Sequence, residues 1–237
     1  MIPFREKEIY RYLGLRGEAP PDQVRQRVHY CMQKLQEEAQ PRIVCRRLAI
    51  LRPAGTEPVL RVGGISIRSR DLARNLEGCE ETFLFGATLG IGPDRLIRRA
   101  EVSAIADAAI YQAASAELIE AFCDMENQKL ARKVQTEGLF LRPRFSPGYG
   151  DCPLEIQRGI SLLLDLPKNI GVCLTDSLLM MPSKSVTAFA GISRLSHEPL
   201  RSGRQGCSSC AKRDCLYRKT DAQGQEIPCA DRNRKGE

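Results

Sequence analysis

The sequence predicts an α+β protein, because segments with helical periodicity occur beside segments rich in Val, Ile and Leu. An amphipathic segment at residues 20–40 is followed by three β-rich segments before residue 90, and a long helical region runs from about Asp94 to Val134. Near Glu198–Pro199 the composition becomes basic, Ser/Gly-rich and Cys-rich. We therefore expect one domain at residues 1–198 and a small Cys-rich tail at residues 199–237.

The N-terminal third predicts two helices and then strands. The opening MIPFREKEIYRYLG has helical character, and residues 20–40 carry apolar side chains at helical spacing after a Pro-Pro-Asp start. The apolar positions are Val24, Val28, Cys31 and Leu35. The following segments, RIVCRRLAIL, PVLRVGGISI and ETFLFGATLG, predict strands because Val, Ile and Leu dominate them and Gly or Pro separates them.

Two further helical regions lie around the last of these strands. SRDLARNLEGC predicts a short helix capped by Ser69 and ended at Gly78. The region from Asp94 to Val134 predicts a long helix broken once near Ala114–Ser115, with Glu117 and Glu120 at neighbouring positions on its second half. A helix from Pro153 to Leu164 and a turn–strand unit, CLTDSLLMMPSKSVTAFAGIS, complete the domain.

Composition restricts the class of function. The net charge of +7 favours an anionic ligand or an acidic partner surface, but aromatic residues make up 5% of the chain and Trp is absent, which disfavours a nucleic-acid partner. No apolar run approaches the roughly 18–20 residues that span a bilayer, and the N-terminus lacks a signal-peptide pattern. We expect a cytoplasmic protein with no membrane partner.

Ten cysteines without a secretion signal argue against a disulfide framework. Six are scattered, and most of these we expect to be buried small apolar residues. The other four are Cys207, Cys210, Cys215 and Cys229. Their C-x2-C-x4-C start predicts a metal site, with structural zinc and an iron–sulfur cluster equally open and a disordered tail with reactive thiols as the third reading.

Two weaker motifs favour ordinary structural roles. GATLGIG, from Gly86 to Gly92, lacks both the G-x-G-x-x-G spacing and the Lys-Ser/Thr of a phosphate loop, so it predicts a strand-to-helix turn. His29 lies in a predicted helix and His197 lies near the tail, and we expect the first at the surface or in packing and the second in solvent.

The segment RPRFSPGYGDCP, from Arg142 to Pro153, predicts a stiff cationic loop. Its prolines fix φ and remove N–H donors, whereas Gly148 and Gly150 allow the backbone to approach a ligand closely. Arg144 is suited to pair with a carboxylate. Taken alone, a rigid surface connection is an equally good interpretation.

Three motifs in order resemble the reactivation domain of cobalamin-dependent methionine synthase. RFSPGYGDCP, from Arg144 to Pro153, resembles the family loop Arg-Pro-Ala-Pro-Gly-Tyr-Pro-Ala-Cys-Pro. IEAF, from Ile119 to Phe122, resembles its Ala-Glu-Ala-Phe helix segment, and LTDSLLMMPSKSVTAF resembles its Leu-Thr-Glu-Ser-x-x-Met-Trp-Pro-x-x-Ser-Val stretch. Two departures are Met181 at the family's Trp and Ala190–Gly191 where we place its aromatic pair.

The resemblance implies a curved antiparallel β-sheet flanked by long helices, and binding of S-adenosylmethionine. Arg144 then pairs with the ligand's carboxylate and Glu120 with its ammonium. The backbone around Ser146 and Gly148 contacts the nucleoside, and Tyr149 takes the catalytic position facing the cobalt.

The same resemblance implies cobalamin carried by a partner, because the chain lacks the family's Asp-x-His-x-x-Gly cobalamin signature. The implied client is the cobalamin-binding domain of methionine synthase or another corrinoid protein, and an electron donor such as flavodoxin or ferredoxin is required. Two alternatives remain open: a non-catalytic zinc module whose basic tail contacts nucleic acid, and an iron–sulfur redox partner protein.

Overall fold

The computed structural model describes residues 2, 3, 5–15, 20–55 and 57–195. His197, the four C-terminal cysteines and the predicted tail at residues 199–237 lie outside these residues, so the metal site stays a prediction. The helices are α1 (Glu6–Tyr12), α2 (Asp22–Glu38), α3 (Arg70–Asn75), α4 (Gly92–Ser103), α5 (Ile105–Gln135), α6 (Ile156–Leu164) and α7 (Leu166–Ile170). The strands are β1 (Arg42–Leu51), β2 (Val59–Val62), β3 (Ile65–Arg68), β4 (Cys79–Thr88), β5 (Phe140–Leu141), β6 (Cys173–Leu174), β7 (Met180–Met181) and β8 (Ser185–Ser193).

Six strands form one antiparallel sheet in the order β3-β2-β1-β4-β8-β5, and β6 and β7 form a separate hairpin. The predicted α+β class, an antiparallel sheet with long flanking helices, is confirmed. The central strands β4 and β8 are buried along almost their whole length because helices cover both faces of the sheet.

Side chains of β4 alternate between the two faces, as a strand requires. Phe85 and Ala87 pack in a core with α1, α2, α4 and α5, whereas Leu84 packs in the opposite core with α3, α6 and α7. Gly86 also belongs to the second face, where a Cβ would lie 2.5 Å from Leu166 Cδ2. Glycine at this position therefore lets α7 lie close to the sheet.

The predicted apolar face of α2 is confirmed, since Val28, Cys31 and Leu35 are fully buried. The turn between β4 and α4 is also structural, as predicted. Gly90 has a φ of +73°, and a Cβ at Gly92 would lie 2.0 Å from the carbonyl oxygen of Glu38. The turn packs against the end of α2, and its glycines are needed for that contact.

The long helical region breaks at Ala104, so the predicted break near Ala114–Ser115 is wrong. Ala104 has extended backbone angles, and its N–H still donates to the carbonyl oxygen of Ala100 at 2.7 Å. Ala114 and Ser115 are fully buried in the interior of α5. Their small side chains permit close packing and do not end the helix, which is 31 residues long and therefore about 46 Å in length.

Four of the six cysteines in the described ranges are buried, as expected: Cys31, Cys79, Cys123 and Cys152. Cys45 is half-buried and Cys173 is exposed, and all six are free thiols. His29 is about half exposed and its Nε2 lies 2.8 Å from Glu6 Oε1, so it is a surface residue. None of the helices in the described part of the chain has the length and apolarity that a bilayer crossing requires.

Candidate functional site

The segment from Arg142 to Pro153, which we call the site loop, is fixed to β8 by backbone hydrogen bonds. The N–H of Arg142 donates to the carbonyl oxygen of Gly191 at 2.7 Å. Phe145 and Phe189 exchange both of their backbone hydrogen bonds, each 2.8 Å long. The first half of the site loop is thus an irregular extension of the sheet beyond β5.

Arg142 anchors the loop and is buried, with 6% of its surface exposed. Its Nη2 donates to the carbonyl oxygen of Glu77 at 2.9 Å. Asn75 Nδ2 donates to the carbonyl oxygen of Pro143 at 3.4 Å. Both contacts tie the loop to the end of α3, so Arg142 has a structural role that its sequence did not reveal.

The second half of the site loop closes on itself in two turns. The N–H of Gly148 donates to the carbonyl oxygen of Cys152 at 3.0 Å. The N–H of Cys152 donates to the carbonyl oxygen of Tyr149, also at 3.0 Å. Gly148 has a φ of +85°, which favours glycine. The carbonyl oxygen of Ser146 accepts from the N–H of Tyr149 at 3.3 Å. The N–H of Gly148 is therefore already used inside the loop, and a nucleoside contact there has to use other backbone atoms.

Arg144 extends from the loop to α5. Its Nη2 lies 3.1 Å from Glu120 Oε2 and 2.8 Å from Asp124 Oδ1. The Arg144 side chain is 18% exposed, and its Nη1 is buried without a hydrogen-bond partner among the described residues. The guanidinium therefore retains hydrogen-bonding capacity beyond its two carboxylate partners.

A second arginine, Arg5, reaches the same face of α5 from the segment before α1. Its Nε lies 2.7 Å from Glu117 Oε1, and its Nη2 lies 3.3 Å from Asp124 Oδ2. Glu117 is 1% exposed. Burial raises the pKa of Glu117, and the contact with Arg5 opposes this rise by favouring the carboxylate.

Glu117, Glu120 and Asp124 therefore form a line on one face of α5, at intervals of three and four residues. We call these three residues the α5 acidic cluster. Together with Arg5 and Arg144 it contains three carboxyl groups and two guanidinium groups, so the site carries one excess negative charge when all three are ionised. Such a site favours a ligand with a net positive charge.

Cys123 is buried next to this charged group. Burial raises the pKa of its thiol to about 12, and Glu120 and Asp124 add to the rise while Arg144 opposes it. The thiol is protonated near neutral pH and is unsuited to act as a nucleophile.

Tyr149 lies at the outer side of the site loop, with 63% of its surface exposed. Its ring meets that of Phe145 edge-on, with 6.4 Å between the centroids. A residue in this position is accessible to a partner molecule that approaches the loop.

Ala190 and Gly191, the predicted substitutes for an aromatic pair, lie inside the sheet. Ala190 is fully buried against the Phe83 side of β4. A Cβ at Gly191 would lie 2.7 Å from Cys79 Sγ and 2.8 Å from Leu76 Cδ2. This packing leaves no room for an aromatic side chain at position 191.

Of the residues that the resemblance assigns to the ligand, the structure brings Glu120 of α5 to Arg144 of the site loop. Arg144 contacts Glu120 directly, and Ser146, Gly148 and Tyr149 follow in the same loop. The sequence interpretation missed Asp124 and Arg5. Asp124 could have been found from its spacing, because it is one helical turn beyond Glu120, whereas the distant contact of Arg5 leaves no local signal.

Comparisons with known proteins agree with this arrangement. Residues 84–198 match the model of the family described as vitamin B12 dependent methionine synthase, activation domain. The fold matches the crystal structure of the MetH reactivation domain bound to AdoHcy, with a TM-score of 0.64 and 16% sequence identity, over 82% of this chain and 75% of that chain. No curated protein matches the chain by sequence.

The matched segment, residues 84–198, contains α5, the site loop and β8. The segment also contains the β6–β7 hairpin, and it therefore includes all three motifs on which the resemblance was based. The similarity of this chain to the vitamin B12 dependent methionine synthase activation domain, predicted from its motifs, is therefore confirmed.

Proposed function

We propose that this protein binds S-adenosylmethionine and supports the reductive methylation of cob(II)alamin carried by a separate methionine synthase or related corrinoid methyltransferase. One observation carries the proposal: Arg144 of the site loop contacts Glu120 of α5. The resemblance assigns Arg144 to the carboxylate of the ligand and Glu120 to its ammonium. Their contact therefore brings together the residues proposed for the two charged groups of the amino-acid part.

The charge of the site supports a sulfonium ligand. S-adenosylmethionine carries a carboxylate, an ammonium and a sulfonium, and therefore one net positive charge. The excess negative charge of the α5 acidic cluster over Arg5 and Arg144 is complementary to it. The structure of the similar MetH domain is described as bound to AdoHcy, which shares the amino-acid and nucleoside groups of this ligand.

Each end of the ligand has a suitable partner. Arg144 Nη1 has no hydrogen-bond partner among the described residues, so it can donate to a ligand carboxylate in a charge-assisted pair. The Glu120 side chain is 43% exposed. When the ligand's carboxylate replaces Glu120 as the partner of Arg144, Glu120 can turn to the ligand's ammonium. The ligand's zwitterionic end would thus replace the ion pair between these two side chains.

The reaction requires one electron and one methyl group. An electron donor reduces cob(II)alamin to cob(I)alamin, and cob(I)alamin takes the methyl cation from S-adenosylmethionine to give methylcobalamin and S-adenosylhomocysteine. The protein contributes position: Arg144 and Glu120 fix the donor, and the site loop holds it where a partner can approach. We assign Tyr149 to the side of the loop that meets the cobalamin, because it is exposed.

Isothermal titration calorimetry tests the proposal. Wild-type protein is titrated with S-adenosylmethionine beside Arg144→Ala and the control Arg98→Ala, which removes an exposed arginine from α4. We expect Arg144→Ala to weaken binding at least about tenfold, since it removes a charge-assisted pair. Arg98→Ala should bind as wild type does.

Two results would contradict the proposal. Wild-type protein that gives no saturable binding of S-adenosylmethionine has no such site. Equal affinity in wild type and Arg144→Ala would place any bound ligand away from the site loop.

A further inference from the structure

Gly150 and Asp151 are two of the four positions at which the segment from Arg144 to Pro153 departs from the family motif, which has Pro-Ala at these two places. They lie between the exposed Tyr149 and the buried Cys152. The structure shows what the substitution provides, because Asp151 makes long-range contacts that an alanine has no atoms to make.

The carboxylate of Asp151 caps the start of α3, about eighty residues away in sequence. Its Oδ1 accepts from Ser69 Oγ at 2.5 Å and from the N–H of Asp71 at 3.1 Å. Its Oδ2 accepts from the N–H of Arg70 at 2.8 Å. Two of the backbone N–H groups that a helix start leaves without internal partners are satisfied in this way.

The contact is reciprocal. The N–H of Asp151 donates to Asp71 Oδ2 at 3.2 Å, so each segment supplies a carboxylate to the backbone of the other. Ser69, which is 2% exposed, also caps α3 directly by accepting from the N–H of Leu72 at 3.0 Å. The sequence predicted that local cap, and the structure adds a second one from the site loop.

Gly150 makes the approach possible. Its φ is +56°, and a Cβ there would lie 2.1 Å from Asp71 Oδ2. Proline cannot adopt this φ, so the family's Pro-Ala sequence is incompatible with the loop path seen here. Gly150 and Asp151 therefore act as a pair: the first brings the backbones together and the second binds them.

The contact extends to the ligand-facing part of the loop through two hydrogen bonds. Cys152, next to Asp151, donates to the carbonyl oxygen of Tyr149 and accepts from the N–H of Gly148. Fixing Asp151 on α3 therefore fixes the turn that holds Gly148 and Tyr149. The hydrogen bond from Ser69 and those from the N–H groups of Arg70 and Asp71 lower the pKa of Asp151, so the carboxylate is ionised near neutral pH.

We infer that Asp151 is a positioning residue for the proposed S-adenosylmethionine site, which holds the site loop in its binding conformation by capping α3 without touching the ligand. The inference rests on the proposed function. A loop that is ordered before binding does not lose conformational entropy when the ligand arrives. Removal of the Asp151 carboxylate, which holds the loop on α3, should therefore lower the affinity for the ligand.

The test combines calorimetry with hydrogen exchange on the full chain. Asp151→Ala should weaken S-adenosylmethionine binding about tenfold, because the ligand must then order the site loop that the Asp151 carboxylate holds in the wild type. The amides of Arg70, Asp71, Gly148 and Cys152 should exchange faster, and saturating ligand should restore protection at the last two. Glu155→Gln, which removes the same charge from an exposed side chain in the neighbouring turn, should change neither measurement.

Asp151→Asn removes the charge and keeps one acceptor oxygen. The Asn oxygen can take the place of Asp151 Oδ1, but its amide nitrogen is a donor and cannot accept from the N–H of Arg70. The variant should therefore lie between wild type and Asp151→Ala in both affinity and amide exchange. Weak binding in Asp151→Asn with the amides of Gly148 and Cys152 as protected as in wild type would show that the residue acts through its charge on the ligand, and the positioning role would be overturned.

The remaining outcomes distinguish the two claims. Unchanged affinity in Asp151→Ala, with wild type binding normally, would overturn the positioning role and leave the proposed function intact. Absence of binding in wild type itself would refute the proposed function, and the role assigned to Asp151 would fall with it. Faster exchange confined to Arg70 and Asp71 would show a cap for α3 alone, which also overturns the inference.

Discussion

The two sides of the candidate site are built in different ways. On the α5 side, the acidic cluster is held by side-chain ion pairs with Arg5 and Arg144. On the loop side, the chain is held by backbone hydrogen bonds to Gly191 and Phe189 of β8 and by the Asp151 carboxylate, which accepts from backbone N–H groups at the start of α3.

This difference indicates a division of tasks. Glu120 and Asp124 can exchange partners when a charged ligand arrives, because their side chains are 43% and 42% exposed and ion pairs of such side chains are individually weak. The loop backbone has no such freedom, because its hydrogen bonds to β8 join backbone groups that cannot turn to a ligand without moving the chain. The site thus combines an adaptable charged wall with a rigid loop, and substitutions on the two sides should have different consequences.

The largest effect should come from breaking the loop anchor at Gly191. In Gly191→Val the side chain would collide with Cys79, Leu76 and Arg142, whose atoms lie 2.7–3.2 Å from the place that a Cβ would take. We expect a loss of about 3 kcal/mol in the free energy of unfolding, as for other overpacked cores. Urea unfolding measures it, with Ala49→Val on the exposed part of β1 as a control that should stay within about 0.5 kcal/mol. Equal stability of both variants would show that the β8 anchor is not tightly packed.

The next effect should come from Arg5→Gln on the α5 side. The pKa of Glu117 is raised by burial, and without Arg5 it should rise further. A carboxyl group whose pKa is higher in the folded than in the unfolded state stabilises the fold fully at pH values below its unfolded-state pKa. That contribution is lost as the pH rises through the folded-state pKa. The variant should therefore lose about 2 kcal/mol near pH 7.5 and less near pH 5.

Thermal unfolding at the two pH values checks this sign. Arg25→Gln is the matched control, because its ion pair with Asp22 is exposed and should matter little at either pH. A larger loss at pH 5 than at pH 7.5 would contradict the placement of Glu117 as a buried carboxylate that depends on Arg5.

A smaller and more specific effect is expected for Glu120→Gln. The side chain is partly exposed, so stability should change little, but the ligand's ammonium would lose a charged partner. We expect about tenfold weaker binding of S-adenosylmethionine by calorimetry. Glu101→Gln, an exposed carboxylate on α4, is the control. Tighter binding in Glu120→Gln would mean that Glu120 competes with the ligand for Arg144 and does not hold the ammonium.

The smallest effect on binding is expected for Tyr149→Ala. This side chain is mostly exposed, so S-adenosylmethionine affinity should stay within about threefold of wild type, whereas methyl transfer to a partner's cobalamin should slow. Calorimetry and a transfer assay on the same preparation separate the two. A loss of affinity as large as that of Arg144→Ala would place Tyr149 in the nucleoside or amino-acid pocket.

The same division explains which features the sequence predicted. The α2 face and the Ser69 cap follow from local spacing, and the structure confirms them. The role of Glu120 came from the motif resemblance, and the structure places its Oε2 3.1 Å from Arg144 Nη2. The helix break was misplaced because small residues at Ala114–Ser115 indicate either a break or close packing, and only the neighbouring elements decide between them. The spacing of small residues does not distinguish a helix break from a closely packed helix, because both are compatible with small side chains.

The loop anchors could not be predicted from the sequence. Arg142 binds Glu77, Asp151 binds Ser69 and Arg5 binds Glu117, and each pair joins segments more than sixty residues apart. The site loop was identified by a motif, but its rigidity comes from these remote partners as much as from its own prolines and glycines.

Transfer of a labelled methyl group tests the central claim most directly. S-adenosylmethionine labelled in its methyl group is incubated with this protein, a reductant and a cobalamin-binding domain of methionine synthase, and label in methylcobalamin is counted. We predict label only when all components are present, and a loss of at least about tenfold with Arg144→Ala at subsaturating ligand. Label that appears at the same rate without the protein, or with Arg144→Ala in its place, would contradict the account.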